Sequence, residues 1–427
     1  MPGARARGSR LARAVSRVSG RSLLAEPALR AGHTIELLEC GAEYFPALEA
    51  AIDGARVEVH VETYILHDDP SSRRVIEAMV RAAHRGVAVR LAVDGFGTPR
   101  IAPALERLIE GTTVQLRIFR PEKHWFSLDR RRLRRLHRKL VVIDRALAII
   151  GGINLLDDLI DPNHGVLERP RLDFAVAVRG PLVSDAMRAV GHLWHELESR
   201  ASLRRWLLAE AARAAARLSK AVDPAARPTS APPAGGLRAM LLLRDNFRFR
   251  RTIERGYLAA IGAARREILI ANAYFFPGIR LRNALTQAAQ RGVQVTLLLQ
   301  GRVEYRLQHY ASQALYEQLL GAGIRIIEYR ASFLHAKVAV IDDWATVGSS
   351  NIDPFSLLLA REANVVISDA GFAQHLRARL IAAIEGGGHP VLARHHARRS
   401  LPQRLMNWVA FGLLRAGVAL SGRATRY

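Results

Sequence analysis

Short apolar runs alternate with longer stretches of helical periodicity, and the same order occurs twice. Residues Ala55–Ile65 (ARVEVHVETYI) predict a strand, and a helical segment then closes with AAHRGVAVRLAVDG, Ala82 to Gly95. The second pass reads GAARREILIANAYF, Gly262 to Phe275, then AAQRGVQVTLLLQG, Ala288 to Gly301. Each pass is strand, helix, glycine stop, strand, with Gly86 and Gly292 where a helix C-terminus favours a left-handed residue. The strands are apolar or β-branched almost throughout, as in a sheet covered on both faces. Strands alternating with helices predict an α/β fold.

Between the two passes, Ala221 to Gly236 (AVDPAARPTSAPPAGG) is rich in proline, alanine and glycine and reads as an exposed linker. An Ala/Arg/Leu-rich helix over Leu203 to Leu218 precedes it. The chain therefore divides into a basic N-terminal arm (1–32), a first half (33–220), the linker (221–236), a second half (237–388) and a basic, apolar C-terminal tail (389–427). Within the tail, Leu405 to Leu420 is apolar with one interruption, Arg415. It is too short for a membrane span. It reads either as an interfacial helix anchored by Trp408 and Phe411 or as a helix packed on the domain surface.

The repeat carries chemistry. His137-x-Lys139-x-x-x-x-Asp144 occurs in the first half and His335-x-Lys337-x-x-x-x-Asp342 in the second. Each runs into a glycine-led turn ending in asparagine, at Asn154 and Asn351. Only four lysines occur, Lys123, Lys139, Lys220 and Lys337, and two of them lie in these motifs. HRKLVVID and HAKVAVID read as strands, so each histidine projects to the same face as the lysine two residues on. Two such faces brought together would supply two imidazoles, two ammonium groups and two amides. That set fits a phosphodiester and the charge its transition state develops. One histidine can attack phosphorus while the other protonates the leaving alkoxide. No carboxylate cluster accompanies the histidines, so no metal site and no cofactor is expected. Six residues separate Asp144 from Gly151 and five separate Asp342 from Gly348, so the second connection is one residue shorter. That difference leaves the placement of Asn351 open.

Lys and Arg number 63 against 39 Asp and Glu, a net charge of +24. Such an excess calls for an anionic partner, a membrane rich in acidic lipid or a nucleic acid. The N-terminus carries Arg5, Arg7, Arg10, Arg13, Arg17 and Arg21 before its first acid, Glu26, and reads as an arm that touches an anionic surface. HWFSLDRRRLRRLHRK, His124 to Lys139, places arginines with Trp125 and Phe126 just ahead of the first motif strand, as lipid headgroup contacts would require. The single Cys40 excludes a disulfide within the chain and a cysteine-based zinc cluster, and fits a reducing compartment. His60, His67, His84, His195 and His309 stand outside any motif and read as structural or surface residues.

On these motifs, with HVETYI, RDNFRFRRTIERGY (Arg244 to Tyr257) and HAKVAVIDDWATVGSSNIDPFS (His335 to Ser356), the chain resembles the phospholipase D superfamily. Within it, the chain is similar to bacterial cardiolipin synthases of the B type, over about Ile35 to Gly388. The resemblance implies two α-β-α sandwich halves related by a pseudo-two-fold axis, with one shared active site. It implies His137 and His335 as nucleophile and general acid/base, His137 the better candidate for nucleophile. Lys139, Lys337, Asn154 and Asn351 would hold phosphate, and Asp144 and Asp342 would be structural members of the motif. A carboxylate downstream of each motif, Asp173 and Glu362, would orient its histidine and favour the imidazolium. The activity implied is transfer of a phosphatidyl group between two phosphatidylglycerol molecules through a phosphohistidine, giving cardiolipin and glycerol. The partner would be an anionic phospholipid membrane (phosphatidylglycerol, cardiolipin), met peripherally on the cytoplasmic face of a bacterial cell membrane. A phospholipase D, a transferase with another donor or acceptor, and a metal-independent nuclease share the motif and remain alternatives. Nucleic acid is the less favoured partner, because no nucleic-acid module is recognisable.

Overall fold

The computed structural model describes residues 27–121, 134–210, 235–245, 249–394 and 400–418. The expected N-terminal arm up to Glu26, the segment 122–133 with Trp125 and Phe126, and linker residues 221–234 lie outside the described residues, as do Lys123, Lys220 and residues 211–218 of the expected Leu203–Leu218 helix.

The first half contributes β1 (Arg30–Glu39), β2 (Glu58–Thr63), β3 (Ala88–Asp94), β4 (Gln115–Phe119), β5 (Lys139–Ile143), β6 (Leu147–Gly151), a short hairpin of β7 (Ile160–Asp161) and β8 (Gly165–Val166), and β9 (Phe174–Arg179). The second half contributes β10 (Leu237–Arg244), β11 (Glu267–Asn272), β12 (Gln294–Gln300), β13 (Arg325–Tyr329), β14 (Lys337–Ile341), β15 (Trp344–Gly348), β16 (Glu362–Ser368) and β17 (Gly388–Pro390). All but the short hairpin join in one fifteen-stranded sheet. Outward from its middle, the order is β1-β9-β6-β5-β2-β3-β4 on one side and β10-β16-β15-β14-β11-β12-β13-β17 on the other. The two runs correspond strand for strand until β17, so the duplication read in the sequence is a two-fold repeat in space. β2-β3-β4 and β11-β12-β13 are parallel, joined by helical crossovers that include Pro70–His84 and Ile279–Gln290. Gly86 and Gly292 follow those helices at φ +87° and +89°, the expected left-handed stops.

The halves meet where β1 pairs antiparallel with β10, Arg30 opposite Ala239 and His33 opposite Leu237. His33 is fully buried there. Its Nδ1 lies 3.1 Å from the Leu237 carbonyl, and its Nε2 accepts the Leu182 N–H at 3.0 Å. Because this pairing starts at Arg30, the N-terminal arm ends earlier than its expected boundary at residue 32. Likewise β17 carries the second half's sheet to Pro390, past the expected 388.

Core packing follows the strand pattern. Every residue of β5, β6 and β14 is buried. One face of the first half packs Val59, Leu91 and Val141 under helix residues Leu48, Ile76 and Met79. The second half buries Ile270, Leu297 and Ile341 under Ile261 and Leu285. The opposite faces of both halves share a further core, in which Leu140, Val142 and Val176 join Val338, Val340 and Val365. That common core fixes the halves against each other through apolar burial, the dominant favourable contribution to folding.

Candidate active site

Both motifs reach the seam between the halves through backbone pairing. His137 N–H donates to the Arg361 carbonyl at 3.0 Å, and Arg361 N–H donates to the Arg135 carbonyl at 2.7 Å. On the other side of the pseudo-axis, His335 N–H donates to the Leu172 carbonyl at 2.8 Å and Leu172 N–H to the Phe333 carbonyl at 2.9 Å. Each pre-motif segment is thus zipped to the residue just before the other half's carboxylate.

The carboxylates are consequently exchanged. His137 Nδ1 lies 3.0 and 3.1 Å from the two oxygens of Glu362, and His335 Nδ1 lies 2.6 Å from Asp173 Oδ2. Asp173 and Glu362 each meet a motif histidine, but it is the histidine of the opposite half rather than of their own. Holding Nδ1 as the donor leaves Nε2 of both rings for substrate.

His137 and Lys139 project together, as do His335 and Lys337. Lys139 Nζ donates to the His137 carbonyl at 2.9 Å, and Lys337 Nζ donates to that of His335. Lys139 is 3% exposed and Lys337 is fully buried. Burial and mutual repulsion push Lys139 down to about 7, and burial pushes Lys337 down to about 8. Burial also lowers both histidines, with the lysines adding to the effect. Glu362 does pull His137 upward, as expected of a carboxylate partner, but desolvation outweighs it and the nearby ammonium groups add, so the net shift of both histidines is downward. Asp173 itself is raised to about 6 by burial, against the opposing pull of Lys337.

The asparagines close the set. Asn154 Oδ1 accepts the Ile65 N–H at 3.1 Å, which leaves its NH2 as the free end. Asn351 is 3% exposed, and its Oδ1 has no partner. The extra residue of the first motif does not disturb this symmetry. Lys139 pairs with Gly151 and Val338 with Val347, so both glycine-led turns start from the same register. The additional residue sits in the hairpin turn, where Asp144 and Arg145 both take positive φ against Asp342 alone in the second.

Asp144 and Asp342 take no part in the cage. Asp144 accepts the backbone N–H groups of Arg56, Val57 and Glu58 at 2.8–2.9 Å, and Asp342 those of Arg265, Arg266 and Glu267 at 2.8–3.0 Å. These bonds tie the hairpin to the entry of β2 and β11.

Three further residues, to which the sequence assigned no role, lie against the site. Fully buried Asp94 accepts the Leu136 N–H at 2.7 Å, directly before His137. The Tyr64 ring stands edge-on to His137 at 4.8 Å between centroids, with Lys139 Nζ 5.3 Å from its centre. Ser349 donates to Glu362 Oε2 at 2.5 Å, whereas its counterpart Gly152 lies so close to the Asp173 carboxylate that a Cβ would collide with it. The motif-free His60 and His67 are ordinary: they pair with Glu58 at 2.9 Å and Asp69 at 3.2 Å.

A cleft of about 520 Å³ opens beside His335, bounded by Asn154, Asp161, Arg171, Glu304 and Tyr305. Among the described residues, no group of three or more His, Cys, Asp or Glu is placed to hold a metal ion. The C-terminal helix, Leu401–Val418, packs on the helix Arg306–Gln313. Ala410 and Leu414 are buried in that contact, and Phe411 stacks on Phe276 at 5.2 Å. Phe411 is half-buried, its ring also 5.3 Å from that of Trp408; Trp408, Leu405, Val409 and Leu413 are exposed. Among the described residues, no helix is long and apolar enough to cross a membrane.

Comparison with known proteins agrees with this geometry. The family described as "Cardiolipin synthase, PLD-like domain" matches twice, over residues 48–167 and 257–383. Cardiolipin synthase B of Escherichia coli K12 is 37% identical over 397 residues, covering 92% of this chain and 90% of that one. Cardiolipin synthase A of Pseudomonas putida F1 is 29% identical, covering 81% and 67%. The crystal structure of phosphatidylserine synthase from Haemophilus influenzae shares the fold, with a TM-score of 0.63 over 95% of this chain and 97% of that one at 14% identity. The two motifs, the duplicated sheet and these relatives together place the chain in the phospholipase D superfamily, as a phosphatidyltransferase that belongs with the B-type cardiolipin synthases.

Proposed function

We propose that the chain makes cardiolipin by moving a phosphatidyl group from one phosphatidylglycerol to another through a phosphohistidine. The observation that carries this reading is the pair of Nδ1-anchored histidines over two buried lysines. His137 Nε2 attacks phosphorus and the phosphorus–alkoxide bond breaks. His335 gives its Nε2 proton to the departing glycerol. The incoming hydroxyl then returns a proton to His335 as its oxygen displaces His137 from phosphorus. The lowered histidines suit a neutral nucleophile. An arriving phosphodiester anion offsets the lysine repulsion and so favours the protonated state that His335 needs as acid. Lys139, Lys337, Asn154 and Asn351 donate to the non-bridging oxygens, where charge grows in the transition state.

The membrane reading rests on the C-terminal helix. Trp408 is 54% exposed and lies beside exposed Leu405, Val409 and Leu413, with Arg404 and Arg415 on the same helix. An apolar face with cationic neighbours fits the boundary of an anionic bilayer. The enzyme then works as a peripheral protein, on the cytoplasmic face.

The test is mass spectrometry of lipids after wild type, His137→Ala and His335→Ala meet phosphatidylglycerol vesicles in chelator. Cardiolipin from wild type alone is the expected result. Phosphatidic acid in its place would make the chain a phospholipase, and no turnover would overturn the choice of donor.

A further inference from the structure

We propose that Tyr64 is a positioning residue for the reaction: its ring fixes the His137 imidazole and takes the place of a counter-ion for Lys139. This rests on the reading of His137 and Lys139 as members of the phosphate-handling site.

The two buried lysines are partnered differently. Lys337 Nζ lies 3.9 Å from Asp173 Oδ2. Among the described residues, no carboxylate comes that near Lys139 Nζ, which donates to the His137 carbonyl at 2.9 Å and lies 5.3 Å from the centre of the Tyr64 ring. A cation within about 6 Å of an aromatic ring centre is drawn to its face, and more strongly where both are desolvated.

A ring suits this position for a chemical reason. A carboxylate would hold the ammonium through directed, charge-assisted hydrogen bonds and compete with an arriving phosphate. An aromatic face stabilises the charge without such bonds. The ammonium group has three donors and gives one to the His137 carbonyl, so the others remain for the non-bridging oxygens. The same ring meets His137 edge-on, with centroids 4.8 Å apart and planes at 65°. Glu362 holds Nδ1 of that imidazole at 3.0 and 3.1 Å. An imidazole held at one nitrogen can still swing, and the second contact through Tyr64 limits that swing and so aims Nε2.

The sheet explains why only one half has this ring. β2 and β5 pair with Glu62 opposite Leu140, and continuing that register brings Tyr64 level with Arg138, between the motif histidine and lysine. In the second half Asn272 pairs with Lys337, and Ala273 takes the corresponding place, its N–H donating to the Ala336 carbonyl at 3.0 Å. The pseudo-two-fold site is therefore asymmetric at this point. The ring is also held from behind. A Cβ on Gly97 would collide with the Tyr64 carbonyl and ring, and the Thr98 hydroxyl donates to that carbonyl at 3.1 Å. Buried Asp94 ties this loop to the motif: it accepts the Phe96 and Gly97 N–H groups at 2.8 and 3.2 Å, and the Leu136 N–H at 2.7 Å.

The experiment reads a pH profile. Wild type, Tyr64→Phe and Tyr64→Leu are compared by kcat/KM against pH with bis(p-nitrophenyl) phosphate in chelator, and in parallel by cardiolipin formed on phosphatidylglycerol vesicles. The charged and titratable groups facing Lys139 are Lys337, Glu362, Asp173, Asp94 and His137, and all of them are kept in these variants. An aromatic face favours the charged amine, so removing it lets the lysine lose its proton at lower pH. Tyr64→Phe keeps the ring and should stay within about threefold of wild type, with its alkaline limb unmoved. Tyr64→Leu should lose about 10- to 100-fold, and its alkaline limb should move down by about half to one pH unit. Melting curves establish that the variants fold; if Tyr64→Leu does not, Tyr64→Met, ringless and of similar reach, replaces it. A loss in the ringless variant with an unmoved limb would mean that the ring only fills space, and the proposal would fall. It would fall too if Tyr64→Phe were as poor as Tyr64→Leu, because the hydroxyl would then carry the effect. Turnover of neither substrate by wild type would remove the reaction that the ring is said to serve. If the diester gives the expected profiles while the vesicles yield no cardiolipin, the choice of lipid fails and the role of Tyr64 stands.

Discussion

Asp173 of the first half holds His335 of the second, with 2.6 Å between Oδ2 and Nδ1. Glu362 of the second half holds His137 of the first. Replacing Asp173 with Asn removes the charge and presents an amide donor or a weaker acceptor to Nδ1, so the tautomer that leaves Nε2 ready for its proton is lost. Transfer should fall by roughly 10²- to 10⁴-fold, with circular dichroism unchanged. A fall of less than threefold would mean that His335 is oriented by something else.

Gly152 and Ser349 occupy matching positions but should respond differently. A Cβ at residue 152 would collide with the Asp173 carboxylate. Gly152→Ala therefore displaces the partner of His335 and should cost nearly as much activity as losing Asp173. Ser349→Ala removes one hydrogen bond to Glu362, worth about 1 kcal/mol, and should cost less than tenfold. Equal losses in the two variants would contradict this asymmetry.

The buried lysines trade stability for activity. Lys337→Met removes an ammonium group from a fully buried position of matching length. The melting temperature should hold or rise, because a desolvated charge disappears. kcat/KM should drop by roughly 10²- to 10³-fold, the scale of losing a preorganised donor to the transition state. A lower melting temperature would show that the bond to the His335 carbonyl matters more to the fold than desolvation does.

Raising pH should act oppositely on these two properties. Lys139 titrates at about 7 in the folded chain against an ordinary 10.5. Between those values the unfolded chain binds a proton that the folded chain does not, so this group's contribution to stability grows as pH rises from about 7 to 10. Over the same range the site loses cationic charge, and kcat/KM should decline from about pH 7 upward. Melting curves of wild type and Lys139→Met across pH 6–10 isolate the stability part: the advantage of the Met variant should shrink as pH rises. A constant difference would place the Lys139 pKa outside that window.

Trp408 is 54% exposed while Phe411, three residues on, is half-buried against Phe276. Trp408→Ala should weaken sedimentation with anionic vesicles by about tenfold, the scale of exposing one large apolar side chain. Phe411→Ala should instead lower the melting temperature. If vesicle binding responds to neither, the basic segments rather than this helix carry the membrane contact.

The duplicated strand–helix–strand order, both motifs and both asparagine turns were legible because period-two strands and fixed spacing are local properties, whereas Asp173 and Glu362 came only from the family resemblance. The exchange of Asp173 and Glu362 was not legible, since it depends on which backbone segment pairs with which across the seam, and His137 is 225 residues from Glu362. Tyr64 and Asp94 carry no spacing signal at all. Their roles come from the sheet order, in which β2 lies between β5 and β3. The net direction of the histidine shifts was out of reach for a related reason: a carboxylate's pull can be expected from sequence, but desolvation beside two ammonium groups is a property of the assembled site. Trp408 and Phe411, three residues apart, lie on neighbouring positions of one helix side, and that Phe411 turns partly inward depends on Phe276.

The pairing of β1 with β10 has a consequence for how the chain is made. When the first half leaves the ribosome, the edge of β1 is open, Asp173 has no histidine and His137 no carboxylate. A nascent first half finds its natural complement only once β10 emerges. Until then its best available partner is a neighbouring copy of itself, presenting the same edge about the same two-fold relation. Covalent tethering of the halves raises the local concentration of the right partner far above that of the wrong one. The segment that joins them thus works against aggregation as well as connecting two folds.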